Sequence, residues 1–171
     1  SSSRSPQTGY LPAPETFRWH SRISHTGPKK YPNFTDKNTE NLITGNIPGK
    51  YYALIIGVSD YSDESVRSLD QPVIDAEKLY KILTTNYLFD TTNVTLLKNA
   101  SNEQIIIAFD NLTEIITTED NLLIFYAGHG YWNERMQIGY WIPSDAKASS
   151  TVKWFRNSTL KDYVGGIKSK H

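Results

Sequence analysis

A histidine flanked by glycines, Gly128-His129-Gly130, follows directly on the apolar run Asn121-Leu-Leu-Ile-Phe-Tyr126 and Ala127. Histidine is the side chain best suited to moving protons near neutral pH. Glycine on either side permits backbone angles closed to other residues and leaves room for a substrate chain to approach. A general base delivered to a strand end is the functional reading of the trio. A structural histidine capping the strand is the alternative, and the pattern leaves both open. A serine hydrolase would need a G-x-S-x-G elbow, which the chain lacks. Neither a G-x-G-x-x-G fingerprint nor a P-loop follows the first apolar run, where Gly57-Val-Ser-Asp60-Tyr61 holds a single glycine. A metal hydrolase would need further ligands near His129, for which only Glu134 and Asp145 are candidates. The chain has no cysteine. Disulfides, thiolate metal sites and a thiol nucleophile are therefore absent from it. His20 and His25 have no partner ligands at useful spacing and read as surface residues.

The elements that must position His129 are legible in the hydrophobic pattern. Tyr51-Tyr-Ala-Leu-Ile-Ile-Gly-Val58 is a continuous apolar run, as expected of a strand buried on both faces. Ala76, Leu79, Tyr80, Ile82 and Leu83 fall at helical spacing. Val94-Thr-Leu-Leu97 reads as a second strand. Ser101-Asn-Glu-Gln104 reads as a capping box opening a helix whose inner face is Ile105, Phe109, Leu112 and Ile116. Asn121-Leu-Leu-Ile-Phe-Tyr126 is a third buried strand, and Gly139-Tyr-Trp-Ile142 a short edge strand. Leu160, Tyr163, Val164 and Ile167 indicate a last helix, weakened by Gly165-Gly166. Strand–helix alternation of this kind gives a parallel sheet covered by helices, so the fold class is α/β. In such sheets, sites form beyond the carboxyl ends of the strands, which places His129 where chemistry is expected.

Residues 1–48 have a different character. Residues 1–50 hold six of the eight prolines, and seven Lys/Arg minus three Asp/Glu leave +4, whereas eleven minus fifteen leave −4 over 51–171. The first part reads as a Pro-rich basic arm or linker, and 49–171 as the folded domain. Net charge is zero, which points to neither nucleic acid nor an anionic membrane as a partner. No apolar run approaches the roughly 18 residues of a membrane span, and no signal peptide is visible, so a cytoplasmic location is expected.

Four segments resemble successive motifs of the caspase-like cysteine peptidases, especially the bacterial metacaspase or orthocaspase type. They are Gly49-Lys-Tyr-Tyr-Ala-Leu-Ile-Ile-Gly-Val-Ser-Asp-Tyr61, Leu69-Asp-Gln-Pro-Val-Ile-Asp-Ala-Glu-Lys-Leu79, Phe125-Tyr-Ala-Gly-His-Gly130 and Gly139-Tyr-Trp-Ile-Pro-Ser-Asp145. The resemblance implies a caspase-like (caspase-hemoglobinase) three-layer fold with a mostly parallel sheet, incomplete in this chain. It implies a His–Cys dyad in which His129 is the base and the Gly130 N–H serves the oxyanion. The cysteine would come from the next strand, about 50 residues beyond the histidine and so near position ~179, past the last residue here. Asp75 occupies the place of a metacaspase pocket aspartate, which implies cleavage after Arg or Lys. An aspartate there also suits a helix N-terminus. Pro72 and Ala127 depart from the family pattern, standing where many members have Cys and some have Ser. Some metacaspases bind calcium through an acidic cluster. Tyr131-Trp-Asn-Glu-Arg-Met-Gln137 has one carboxylate and no cluster, so no cofactor is expected. The expected partners are a peptide substrate and a second chain or following segment that completes the sheet. Asp145 is expected to stabilise the turn after Trp141-Ile-Pro143. The alternative is a non-catalytic caspase-like module that binds or regulates a partner.

Overall fold

A computed structural model describes residues 49–171; the basic arm at 1–48, with His20 and His25, lies outside the described residues. Three parallel strands form the central sheet in the order β2-β1-β3: β1 is Tyr51–Gly57, β2 Val94–Lys98 and β3 Asn121–Ala127. The helices are α1 (Pro72–Asn86), α2 (Asn102–Ile115) and α3 (Asn157–Gly166). A second, antiparallel sheet, β4-β5-β6, is built from Gly130–Asn133, Ile138–Trp141 and Phe155–Arg156.

Alternation along β1 assigns the layers. Ala53 and Ile55 pack with Ala76 and Leu83 of α1. Tyr52, Leu54 and Ile56 face the other way, onto Ile105, Phe109 and Leu112 of α2, with Leu160 and Tyr163 of α3 beside them. Residues 53 to 56 of this central strand have no exposed surface. Fully burying each of Leu54, Ile55 and Ile56 contributes roughly 1.5–3 kcal/mol before entropy is counted. The result is a three-layer α/β sandwich.

The capping box expected at the start of α2 is present. Ser101 Oγ accepts from the Gln104 N–H at 3.2 Å, and Gln104 Oε1 accepts from the Ser101 N–H at 2.9 Å, completing the capping box. α1 has no cap from its own Gln71. Instead Ser59 Oγ accepts from the Val73 N–H at 3.2 Å, reaching in from the end of β1.

Four details differ from the sequence-based expectation. β3 is half-buried at every position rather than enclosed, because β1 is its one strand neighbour among the described residues. The Gly139-Tyr-Trp-Ile142 strand is the middle of the second sheet rather than an edge, because Phe155–Arg156 pairs on its far side. Ile82 and Val164 point outward, 47% and 50% exposed. Asp145 does not tie its own turn. Its Oδ1 accepts from the Asn102 N–H at 2.9 Å and its Oδ2 pairs with Lys153 Nζ at 2.9 Å, joining the loop to the start of α2.

A column of aromatic rings joins the two sheets. Tyr126 stacks on Trp141 (4.5 Å), Trp141 on Phe155 (5.3 Å), Phe155 on Phe109 (5.6 Å) and Phe109 on Tyr163 (4.9 Å). Each such pair adds about 0.5–1.5 kcal/mol beyond the area it buries. The column begins at Tyr126, whose hydroxyl donates to His129 O at 2.8 Å.

Candidate active site

The carboxyl end of β1 stays bonded to both of its neighbours, β3 and β2, at the strands' ends. The Val58 N–H donates to Ala127 O at 2.8 Å, and the Asn99 N–H to Gly57 O at 2.8 Å. Gly57 has to be small. A Cβ there would lie 2.6 Å from Pro72 O and 2.9 Å from Ala76 Cβ, so its absence lets the first turn of α1 press against the strand end. Asn99 adopts φ 50°, a left-handed conformation that asparagine tolerates better than most residues. Its Oδ1 accepts from the N–H groups of Ser59 (2.8 Å) and Asp60 (3.1 Å), and its Nδ2 donates to Asp60 Oδ2 at 2.8 Å. The end of β2 thereby fixes the start of the 59–71 segment.

That segment arches over His129, which is only 3% exposed. His129 Nε2 lies 2.7 Å from Arg67 O. A carbonyl oxygen only accepts, so Nε2 carries the hydrogen and donates. In the neutral imidazole the lone pair is then on Nδ1, which is buried and has no hydrogen-bond partner among the described residues. A tautomer held from one side with a free acceptor on the other is the arrangement a general base requires.

The main chain around His129 is held by two tyrosines. The His129 N–H donates to Tyr61 Oη at 2.9 Å, and Tyr61 Oη donates to Val58 O at 3.1 Å. The Tyr61 ring lies 5.1 Å from the imidazole, tilted by 41°. On the other side, His129 O accepts from Tyr126 Oη at 2.8 Å and from the Ile142 N–H at 3.0 Å. Burial pushes the Tyr61 hydroxyl up to about 12, with the hydrogen bond from His129 opposing and Asp60 adding to the shift. Burial, with Tyr61 adding, raises Tyr126 well above the ordinary value. Both hydroxyls therefore stay protonated and able to donate.

The two flanking glycines do different things. A Cβ on Gly128 would lie 2.7 Å from Tyr126 Oη, 3.0 Å from Tyr126 Cζ and 3.3 Å from Tyr61 Oη. A Cβ on Gly130 would meet only Tyr140 O, at an ordinary 3.5 Å. Gly130 pairs with Trp141, while the bond between the Ile142 N–H and His129 O lies one residue away. Gly130 thus occupies a non-hydrogen-bonded position of the ladder, and its N–H points away from β5.

Asp75 sits in the first turn of α1, its side chain 49% exposed and 4.0 Å from Lys78 Nζ. No hydrogen bond or ion pair links it to His129 among the described residues. Gly130, by contrast, is joined to His129 directly. Glu134 lies exposed in the β4–β5 turn, and Asp145 is engaged with α2 and Lys153. Among the described residues no group of three His, Asp or Glu side chains converges as a metal site. The residues that sequence reasoning missed are Tyr61, Arg67 through its carbonyl, Asn99 and Tyr126. Asn99 directly after a strand was a usable signal; a main-chain carbonyl carries none.

A parallel three-layer α/β domain with a histidine just beyond the carboxyl end of β3 is compatible with a caspase-like domain. The chain matches the caspase domain of peptidase family C14 over residues 50–167, and it belongs to that family. Its fold is the caspase-like α/β fold, and its class is that of cysteine-peptidase-like proteins. No curated protein matches the chain. No helix among the described residues is long and apolar enough to cross a membrane.

Proposed function

We propose that this chain is the histidine-bearing part of a metacaspase-type cysteine endopeptidase that cleaves after Arg or Lys. His129 is the base, Gly130 supplies an oxyanion N–H, and the thiol comes from polypeptide continuing beyond His171. The observation that carries the reading is a buried histidine whose Nε2 is committed to Arg67 O and whose Nδ1 has no partner among the described residues. That nitrogen takes the thiol proton, the thiolate attacks the scissile carbonyl, the imidazolium gives the proton to the leaving amine as the C–N bond breaks, and water hydrolyses the acyl-enzyme.

Strand register supports the location of the thiol. The Lys170 N–H donates to Asp120 O at 2.7 Å, and the Leu122 N–H donates to a His171 main-chain oxygen at 2.9 Å. Residues 170–171 thus run along the outer side of β3 in the same direction as that strand. His129 lies 129 − 122 = 7 residues beyond Leu122. A strand continuing in this register reaches the level of His129 after about seven residues, near position ~178, in agreement with the position of about 179 from the family's histidine–cysteine spacing.

Charge supports the basic preference. Between 59 and 71 the chain has Asp60, Asp63, Glu64 and Asp70 against Arg67, a net of one minus four, or −3, and Asp75 follows in α1. A surplus of carboxylates in the segment that carries Tyr61 and Arg67 to the histidine favours a cationic P1 side chain.

The test is cleavage of fluorogenic peptides ending in Arg, Lys or Asp by the full-length protein that contains this chain, beside His129→Ala. Cleavage after Arg or Lys that falls at least about 10²-fold in the variant is expected. Cleavage after Asp would keep the peptidase and remove the role given to Asp75. No cleavage by folded protein, with calcium also tried, would favour a non-catalytic caspase-like module.

A further inference from the structure

We infer that Tyr61 and Tyr126 are positioning residues with separate tasks, Tyr61 aligning the His129 base and Tyr126 aiming the Gly130 N–H. The inference rests on the peptidase reading above and goes beyond it in dividing the work between two hydroxyls.

His129 is flanked by two planar peptide groups. Tyr61 Oη holds the N–H of the first at 2.9 Å, and Tyr126 Oη holds the C=O of the second at 2.8 Å. Tyr61 belongs to the segment that also supplies Arg67 O to the imidazole at 2.7 Å. Its phenol packs 5.1 Å from the same ring. One segment therefore fixes the base at its backbone, its ring face and its Nε2. The segment is itself anchored, with the Leu69 N–H donating to Ser59 O at 2.9 Å and the Ser62 N–H to Ser144 O at 2.8 Å.

Tyr126 acts on the next peptide. In a trans peptide the N–H points opposite to the C=O. His129 O is gripped by Tyr126 Oη and by the Ile142 N–H at 3.0 Å, so the Gly130 N–H is driven the other way, off the β4–β5 ladder. The 4.5 Å stack of Tyr126 on Trp141 holds the phenol in place when its hydroxyl is removed.

Two probes separate the tasks on the full-length protein. Iodoacetamide alkylation of the thiol reports its activation by His129 and needs no oxyanion site. A peptide aldehyde ending in Arg forms a hemithioacetal whose oxygen uses that site. Tyr61→Phe is expected to lower kcat per titrated active site and the alkylation rate at neutral pH about tenfold each, with KM unchanged. Tyr126→Phe is expected to leave alkylation within about twofold while kcat falls and the aldehyde inhibition constant rises about tenfold. Both variants matching the wild type, or both losing the two readouts equally, overturns the inference. If Tyr126→Phe does not fold, the Tyr61→Phe arm decides: an unchanged alkylation rate refutes the division. A wild-type protein that neither cleaves peptides nor shows alkylation dependent on His129 overturns the peptidase reading itself, and this inference with it.

Discussion

Adding one methyl group on either side of His129 should have opposite consequences. In Gly128→Ala the new Cβ would sit 2.7 Å from Tyr126 Oη and 3.0 Å from its Cζ, with Tyr61 Oη at 3.3 Å. Carbon atoms normally stay about 3.5–4.0 Å from such neighbours, so something must yield by roughly 0.5–0.8 Å. Tyr126 cannot swing freely, because it is stacked on Trp141 and its hydroxyl is bonded to His129 O. Overpacking of this kind costs about 1–3 kcal/mol, and weakening one buried hydrogen bond adds about 1 kcal/mol. The sum, about 2–4 kcal/mol, lowers Tm by roughly 8–16 °C for a domain of this size. Gly130→Ala meets only Tyr140 O at 3.5 Å, and alanine restricts the unfolded chain more than glycine does. Its stability should change by less than about 1 kcal/mol and can rise. Activity should nonetheless fall, because the methyl group stands beside the N–H proposed to meet the oxyanion. Thermal and urea unfolding of the full-length variants, with peptide cleavage on the same samples, measure the two stabilities and the activity. Gly128→Ala unfolding within about 2 °C of the wild type, or Gly130→Ala destabilising as much as Gly128→Ala, would refute this account of the two glycines.

Asp120 is 5% exposed and takes hydrogen bonds from the N–H groups of Lys50 (2.7 Å) and Thr117 (2.9 Å) and from the Thr117 hydroxyl (2.8 Å). Burial pushes its carboxyl up, but those bonds and the Lys50 charge outweigh burial and hold it below the ordinary value. A depressed folded-state value stabilises the protein above the unfolded-state pKa, near 4, and that contribution is lost as pH falls through the folded value. Asp120→Asn should therefore cost about 1–3 kcal/mol at pH 7 and progressively less below pH ~4; equal urea-midpoint shifts at pH 3 and pH 7 would contradict it. Asn99→Ala removes three side-chain hydrogen bonds and puts alanine at φ 50°, for a loss of about 2–4 kcal/mol in denaturant melts. Asn99→Gly should recover about 1 kcal/mol of it by relieving the backbone, and no recovery would rule out strain at this position.

What could be read ahead of the structure was local. β1, β2 and the inner face of α2 follow from runs and spacings of apolar residues, and the capping box from two side chains three positions apart. What could not be read depends on neighbours far along the chain. β3 has the same apolar run as a fully enclosed strand, but a run of residues reports what a strand is able to bury, not what covers it. The middle position of β5 was hidden because its second partner, Phe155–Arg156, is two residues long and has no strand pattern of its own.

The candidate site divides along the same line. His129 and Gly130 announce themselves by type and position, whereas their control is exercised from 62 and 68 residues away, by Arg67 and Tyr61. Arg67 acts there through its carbonyl, which every residue has, so no side-chain pattern could have marked it. Tyr126 is the instructive case, because it read as one more apolar position in a buried strand. A tyrosine in such a place has a phenol to bury and a hydroxyl that needs a partner, and two main-chain oxygens lie within its reach, His129 O at 2.8 Å and Ile142 O at 3.1 Å. A hydroxyl at the end of an otherwise apolar run, just before a Gly–His–Gly turn, is therefore a sequence signal for a hydrogen bond back to that turn, and the 2.8 Å bond to His129 O is the contact it makes here.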